Sequence, residues 1–211
     1  MTAQVPDVVV YRGATESIAG IAGSGLFDPR GLGLPLQAIS SACWRGFHCE
    51  YAVADGALFL RRLNLGLSDE AVERMAQGAT AAPFGRLPQR YTERIRVLRG
   101  DDWVDEDWHS PDYRIDGLRE PVAFSGGLLL GTDFIDETYI HLGFHAPCQF
   151  GTVHELIFAA GRLVAEHDRS PQMKDLRRFM ERRLQYAGAA AGGKLAARLR
   201  GVFSLEYRPP G

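Results

Sequence analysis

The sequence predicts an α+β protein: a mainly antiparallel β body with one short early helix and a helical C-terminal segment. Three observations carry that expectation. Short apolar runs separated by turn residues recur through residues 1–168. A helix-start signature follows Ser68. A second, longer apolar pattern with 3/4 spacing follows Ser170-Pro171. The expected organisation is therefore a β-rich body over 1–168 and a helical segment over 169–211, packed on the body and not an independent domain.

Taken in order, Val8-Val9-Val10-Tyr11 reads as a short strand closed by Arg12-Gly13. Gly20 to Leu34 is glycine-rich and carries Asp28-Pro29, which predicts a loop or flap. Ile39 to Val53 reads as a strand bent at Gly46. Asp55-Gly56 then supplies a two-residue turn into Leu58-Phe59-Leu60, because both residues accept positive φ. Ser68 is the expected N-cap of a helix whose first turn holds Asp69 and Glu70, where the helix dipole favours negative charge. Val72, Met75 and Ala76 form its expected apolar face, and Gly78 ends it.

Residues 79–90 read as loop, Tyr91 to Leu98 as an alternating strand, and Asp101 to Asp116 as an acidic, tryptophan-bearing loop. Gly127 to Leu130, Thr138 to Leu142 and Val153 to Ala160 are strand candidates, with Arg162 to Ala165 returning after Gly161. Ser170-Pro171 caps a helix over 171–187 whose face is Met173, Leu176, Met180 and Leu184. A second short helix over 194–200 and a strand over 202–207 complete the expectation.

The 211 residues are 45% apolar and 24% charged, enough to hide roughly 70% of the unfolded surface without a disulfide or metal staple. A net charge of −2 argues against a polybasic nucleic-acid wrapper and an acidic disordered tail. Neither a secretory leader nor a membrane span is expected, since no window approaches about 18 consecutive apolar residues. Cys43, Cys49 and Cys148 cannot all pair, and Cys43 and Cys49 in one strand would sit too far apart for a disulfide, which favours the cytoplasm.

The run Ser41-Ala42-Cys43-Trp44-Arg45-Gly46-Phe47, followed by Asp55-Gly56-Ala57-Leu58-Phe59-Leu60, resembles a group of bacterial hypothetical proteins with a Cys-Trp-Arg-Gly-aromatic run before an Asp-Gly hairpin. Gly127 to Gly131, Tyr139-Ile140-His141-Leu142-Gly143-Phe144 and Glu155-Leu156-Ile157-Phe158 are similar to the same group. The resemblance covers about a third of the chain. It implies a β-rich body and brings no activity, cofactor or site residue with it.

Motifs that promise chemistry meet physical objections. Gly188 to Leu195 lacks the final hydroxyl of a phosphate-binding loop and follows a helix instead of a buried strand. His141, His145, Cys148, His154 and Glu155 are the densest set of ligand or acid–base types. In an extended chain residues four apart are about 13 Å apart, so His141 and His145 meet at a metal only if the chain turns sharply at Gly143. A cysteine nucleophile at Cys43 or Cys148 would need a neighbouring base. On a strand, Trp44 would face the core and Arg45 would pair with a carboxylate.

Charge is segregated along the chain. Residues 1–100 hold 11 basic and 9 acidic side chains, 101–168 hold 3 and 14, and 169–211 hold 10 and 3. Asp101, Asp102, Asp105 and Asp107 with Trp103 and Trp108 resemble a docking rim around aromatic anchors. Lys174, Arg178 and Arg182 form a basic helical stripe, expected to pair with the acidic segment of its own or a second chain. The leading expectation is a bacterial cytoplasmic binding or accessory protein, with an immunity-type role among the options, working through protein–protein or self-association without a cofactor. The alternative is a hydrolase, metal-dependent or not, built around His141 with His145, His154, Glu155 or Cys148. A weak nucleic-acid binder acting through the C-terminal helices ranks third.

Overall fold

The computed structural model describes residues 2–186 and 205–208, with side chains in the last helix described through Phe179. Its strands are β1 (Val8–Tyr11), β2 (Ala14–Ser24), β3 (Phe47–Ala54) and β4 (Ala57–Leu65). After helix α1 (Asp69–Ala76) come β5 (Thr92–Arg99), β6 (Asp102–His109), β7 (Tyr113–Ile115) and β8 (Glu120–Pro121). The last are β9 (Ser125–Phe134), β10 (Phe150–Ala159), β11 (Arg162–Asp168) and helix α2 (Ser170–Tyr186). Two compact units result. One holds the residues up to Phe27, Cys49–Arg61 and those from Arg119 on; the other holds Asp28–His48 and Arg62–Leu118.

In the first unit seven strands follow the order β11-β10-β9-β2-β1-β3-β4, and Arg162 of β11 pairs back onto Ala57 of β4. The sheet closes into a barrel, with β1 and β3 parallel. Register sets the interior: Leu130 lies opposite both Ile18 and His154, and Leu128 opposite Leu156. Val9, Ile18, Tyr51, Leu58, Leu60, Leu128, Leu130 and Leu156 are all essentially inaccessible. Each such side chain contributes roughly 1.5–3 kcal/mol relative to exposure. In a barrel this narrow, side chains fill the middle.

The outer face of β9 and β10 is covered too. Leu129, Phe150, Val153 and Ala19 form a second cluster against which Phe134, Met173 of α2 and Tyr207 pack. Burial on both faces explains why Leu128-Leu129-Leu130 is continuously apolar instead of alternating. At Gly131 a Cβ would come within 2.5 Å of Phe150, so that ring lies flat where only glycine allows it.

The fold class is thus mainly β, and the α+β expectation is wrong. A sheet closed on itself covers its own apolar face and requires no helical layer. Among the described residues helices α1 and α2 are accessories. The second short helix, the phosphate-loop-like run 188–195 and most of the terminal strand lie outside the described residues. Of that strand, Glu206 bridges to Ile21, and Tyr207 hydrogen-bonds the Ile21 carbonyl at 3.0 Å.

Several elements follow the expected chemistry. Asp55 (φ 52°) and Gly56 (φ 68°) make the mirror-image turn between β3 and β4. The Ser68 hydroxyl accepts from the Ala71 N–H at 3.2 Å at the start of α1. The buried face of α1 is Ala71 and Met75, not Val72 and Ala76.

Others differ. The expected loop from Gly20 is strand through Ser24, and its glycines permit close packing: a Cβ at Gly20 would lie 2.9 Å from Leu129. Residues 39–46 are turns, so strand β3 starts only at Phe47. Thr138 to Leu142 follows a 3-10 turn over Asp136–Thr138 and holds no strand. Ser170 lies within α2, and its hydroxyl accepts from Val153 N–H at 3.0 Å while Asp168 accepts from Ser170 N–H at 2.9 Å. Leu176 of α2 is exposed, because Met173 and Arg177 face the barrel, Arg177 donating to the Cys148 and Phe150 carbonyls.

In the second unit β4 continues as Leu63-Asn64-Leu65 against β7, with Leu63 opposite Ile115 and Leu65 opposite Tyr113. These side chains, Leu67, Met75 of α1 and Leu118 make its core. Strands β5 and β6 form a separate two-stranded sheet.

Candidate functional site

The acidic stretch expected as a loop is an arm. Strand β6 pairs along its whole length with β5 across the two-residue turn Gly100-Asp101, where Gly100 takes φ 64°. Aspartate is a poor strand former, but each acid finds a cross-strand partner. Arg94 stands opposite Asp107, Arg96 opposite Asp105 and Arg99 opposite Asp102. Arg99 also grips Glu106 through two bonds of 2.8 and 2.9 Å. The acidic segment therefore has its basic counterpart in β5, next in sequence.

The two faces of the arm differ. Ile95, Val97, Val104 and Glu106 alternate onto a half-buried face. The other face carries Thr92, Arg94, Arg96 and Leu98 against His109, Asp107, Asp105 and Trp103, and every one of these is exposed. At its tip Leu98 (54% exposed) lies opposite Trp103 (61% exposed). Trp108, 40% exposed, is on the opposite face near the base, 6.5 Å edge-on from Tyr91. Asp101 lies in the turn, and Asp102 also faces away from the Leu98–Trp103 row.

The base of the arm is held by a buried carboxylate. Asp112 is 2% exposed and accepts from Asn64 Nδ2 at 2.8 Å, Tyr91 hydroxyl at 2.9 Å and the Ser110 hydroxyl. The Ser110 N–H donates to the Tyr91 carbonyl at 3.1 Å, and Arg114 lies over the Tyr91 ring at 3.4 Å while pairing with Glu93 at 2.6 Å. The arm is thus rigidly rooted and exposed at its tip.

Trp44 reverses the sequence expectation. Trp44 is 54% exposed, and Arg45 is half-buried with its guanidinium 4.9 Å over the Phe47 ring. Inside–outside alternation does not govern residues in a turn. Cys43 beside them is buried, its thiol donating to the Phe47 carbonyl at 3.3 Å, and burial pushes that thiol's pKa up. Such a thiol is a poor nucleophile. All three cysteines are free and buried.

The histidine-rich stretch does not converge on one centre. His141 is exposed and bonds the Tyr139 hydroxyl at 2.9 Å. His145 packs on Phe134 with ring centroids 4.6 Å apart, and burial lowers its pKa. Cys148 is buried, which raises its thiol pKa. His154 bonds through Nδ1 to Glu16 at 3.1 Å, and Glu16 is 3% exposed. Glu155, on the other face of β10, is 1% exposed and occupied: Arg169 Nε donates at 2.7 Å and the Tyr207 hydroxyl at 2.8 Å. Burial, with Glu155 adding to it, raises the Tyr207 pKa far above the ordinary phenol range. Among the described residues no group of three His, Cys, Asp or Glu side chains is arranged to hold a metal.

On α2, Lys174 and Arg178 are exposed, Arg178 lying 3.8 Å from Asp175, while the Arg182 side chain lies outside the described residues. No described helix is long and apolar enough to cross a membrane. Sequence reading missed Leu98, Arg94 and Arg96 as parts of the arm face, and Glu16 and Tyr207 as partners of His154 and Glu155. Alternation carries the signal for the arm: Trp103, Asp105 and Asp107 share one parity, Val104, Glu106 and Trp108 the other. No family model, curated protein or solved structure matches the chain.

Proposed function

We propose that this chain is a binding protein that associates with a second copy of itself through the exposed face of the β5–β6 arm. The single observation behind this reading is the composition of that face, row by row. The two middle rows across the strands each hold one basic and one acidic residue, and the row at the tip holds Leu98 and Trp103. With two such faces stacked about a two-fold axis parallel to the strands, Arg94 of one copy lies over Asp107 of the other. Arg96 then lies over Asp105, and Leu98 over Trp103. A two-fold axis across the strands would instead stack β5 on β5 with like charges together. An isologous interface is self-complementary by symmetry, and this face meets that requirement in only one orientation.

Eight residues of strand span roughly 27 Å. The face is then smaller than the approximately 800 Å² per partner of a standard stable interface. The association is accordingly weak and concentration-dependent. Free buried cysteines favour a reducing compartment, which supports an accessory role in the bacterial cytoplasm.

Charge exchange in trans tests this by analytical ultracentrifugation. Wild type should show a mass that rises with concentration, and Arg96→Glu or Asp105→Arg alone should be monomeric. An equimolar mixture of the two variants should associate again, because the glutamate introduced in one copy then meets the arginine introduced in the other across the axis. Restoration in trans has no explanation in the stability of either hairpin. Wild type monomeric at every concentration, or single variants that associate like wild type, would overturn the proposal.

A second reading rests on the Glu16–His154 contact. A buried carboxylate on Nδ1 of a partly exposed histidine leaves Nε2 as a proton acceptor, the arrangement of an oriented general base. Turnover of activated esters that is lost in both His154→Gln and Glu16→Gln would support a hydrolase. Equal rates in all three proteins would remove it.

A further inference from the structure

The first unit contains a slot that neither reading uses. Two local features build it. The N-terminal segment runs along the barrel, with the Gln4 N–H donating to the Gly143 carbonyl at 2.7 Å and Ile18 N–H to the Asp7 carbonyl at 2.8 Å, which places Pro6 beside β2. The connection from β9 to β10 folds back through its two 3-10 turns, anchored by Gln149. That side chain accepts from the Ala146 N–H at 2.7 Å and donates to the Thr138 carbonyl at 2.5 Å. This fold-back sets His145 against Phe134.

The resulting space is about 180 Å³, lined by Pro6, Ser17, Ile18, Phe134, His145 and Phe150. An engineered apolar cavity of roughly 150 Å³ holds one benzene. Three walls are aromatic: Phe134 meets Phe150 edge-on at 5.4 Å and tilts against His145 at 4.6 Å. Edge and face contacts of this kind are what a further aromatic ring would extend. Phe150 is fixed in place by its seat on Gly131.

Two polar groups line the slot. Among the described residues no protein group takes up the Ser17 hydroxyl. The other is the His145 ring, packed against Phe134, whose nitrogens can meet a polar group. Burial lowers the His145 pKa below its ordinary value of 6.5, so the ring is neutral at pH 7. Among the described residues no charged side chain lines the space, so none of them compensates the desolvation of an anion or a cation.

We infer that the Pro6–Ser17–Phe134–His145–Phe150 slot binds a small, uncharged, planar aromatic molecule carrying one hydroxyl, of the size of phenol. The ring fills the apolar space between Ser17 and Phe150, and the hydroxyl meets His145. Its test uses the full chain, with phenol, toluene and benzoate as probes, read by calorimetry and by the His145 ring resonances. Phenol should bind and shift those resonances, toluene should bind about tenfold more weakly for want of one hydrogen bond, and benzoate should not bind.

Ser17→Leu should fill the slot and abolish phenol binding. His145→Phe keeps the aromatic wall and should erase the preference for phenol over toluene, a readout that does not depend on Ser17→Leu folding. Trp103→Ser, far along the chain in the arm, should leave phenol binding unchanged. Absence of phenol binding up to its solubility limit would overturn the inference, as would equal binding of benzoate or undiminished binding in folded Ser17→Leu.

Discussion

Two hairpins of this chain share a backbone and little else. In β9–β10 both faces are buried, and Leu128, Leu129 and Leu130 pack alternately into the barrel and against α2 and Tyr207. In β5–β6 one face is wholly exposed and the strands are held by ladder hydrogen bonds and cross-strand charge. The first owes its stability to apolar area removed from water; the second owes it to a short turn, paired charges and a buried root at Asp112. A strand in the first region cannot lose a methyl group quietly, while one in the second can be redecorated on its exposed face without unfolding the protein.

The contrast is sharpest in a matched pair of substitutions. Leu130→Ala should destabilise the barrel by about 2–5 kcal/mol, the transfer loss plus an unfilled cavity. Leu98→Ala at the arm tip should change stability by less than about 0.5 kcal/mol. Urea unfolding followed by far-ultraviolet circular dichroism measures both. Equal costs would mean that the tip is packed and the comparison false.

The root of the arm comes next. Asp112→Ala strips acceptors from Asn64, Tyr91 and Ser110 at once, leaving buried donors unpaired at a cost of about 3 kcal/mol. Trp44, Trp103 and Trp108 all belong to the second unit, so tryptophan fluorescence should report this loss at lower urea than circular dichroism does. Coincident transitions would show that the two units unfold as one.

A smaller effect distinguishes the covered face of the barrel. The Tyr207 phenol is held neutral in the folded state, with its pKa raised by burial and by Glu155. In the unfolded chain it ionises near its ordinary value of 10, so its contribution is complete below pH 10 and falls away as pH rises beyond that. Tyr11, Tyr91 and Tyr113 are shifted in the same direction, each chiefly by burial. Stability should therefore decline with alkaline pH in wild type and less steeply in Tyr207→Phe. An unchanged slope would place Tyr207 away from Glu155 in solution. Smallest of all, Trp103→Ser should leave the unfolding midpoint within error while abolishing self-association.

Local chemistry is legible throughout. The Asp55-Gly56 turn, the Ser68 cap, the strand Val8–Tyr11 and the return at Arg162 can be read from a few neighbouring residues, because turn conformation and capping depend on nothing further away. The acidic arm misleads because composition outweighs parity: seven acids between Asp101 and Asp116 look like a solvated loop until β5 supplies partners for the four in β6. Trp44 misleads because alternation does not extend ahead of the point where the strand begins. His154 and Glu155 stand out together in the sequence, yet adjacent strand residues point to opposite faces, so they serve different partners.

By itself the sequence determined the Asp55-Gly56 turn and the Ser68 cap, which residues are apolar and that charge is segregated along it. Only the tertiary structure decided that the sheet closes, that Glu16 meets His154 across 138 positions and that Tyr207 caps Glu155 across 52. Closure is a long-range condition: Arg162 must return to Ala57 for the sheet to cover its own face, and no local window contains both. The charge segregation seen at the outset likewise acquired part of its meaning from pairing, since three arginines of β5 stand opposite three aspartates of β6.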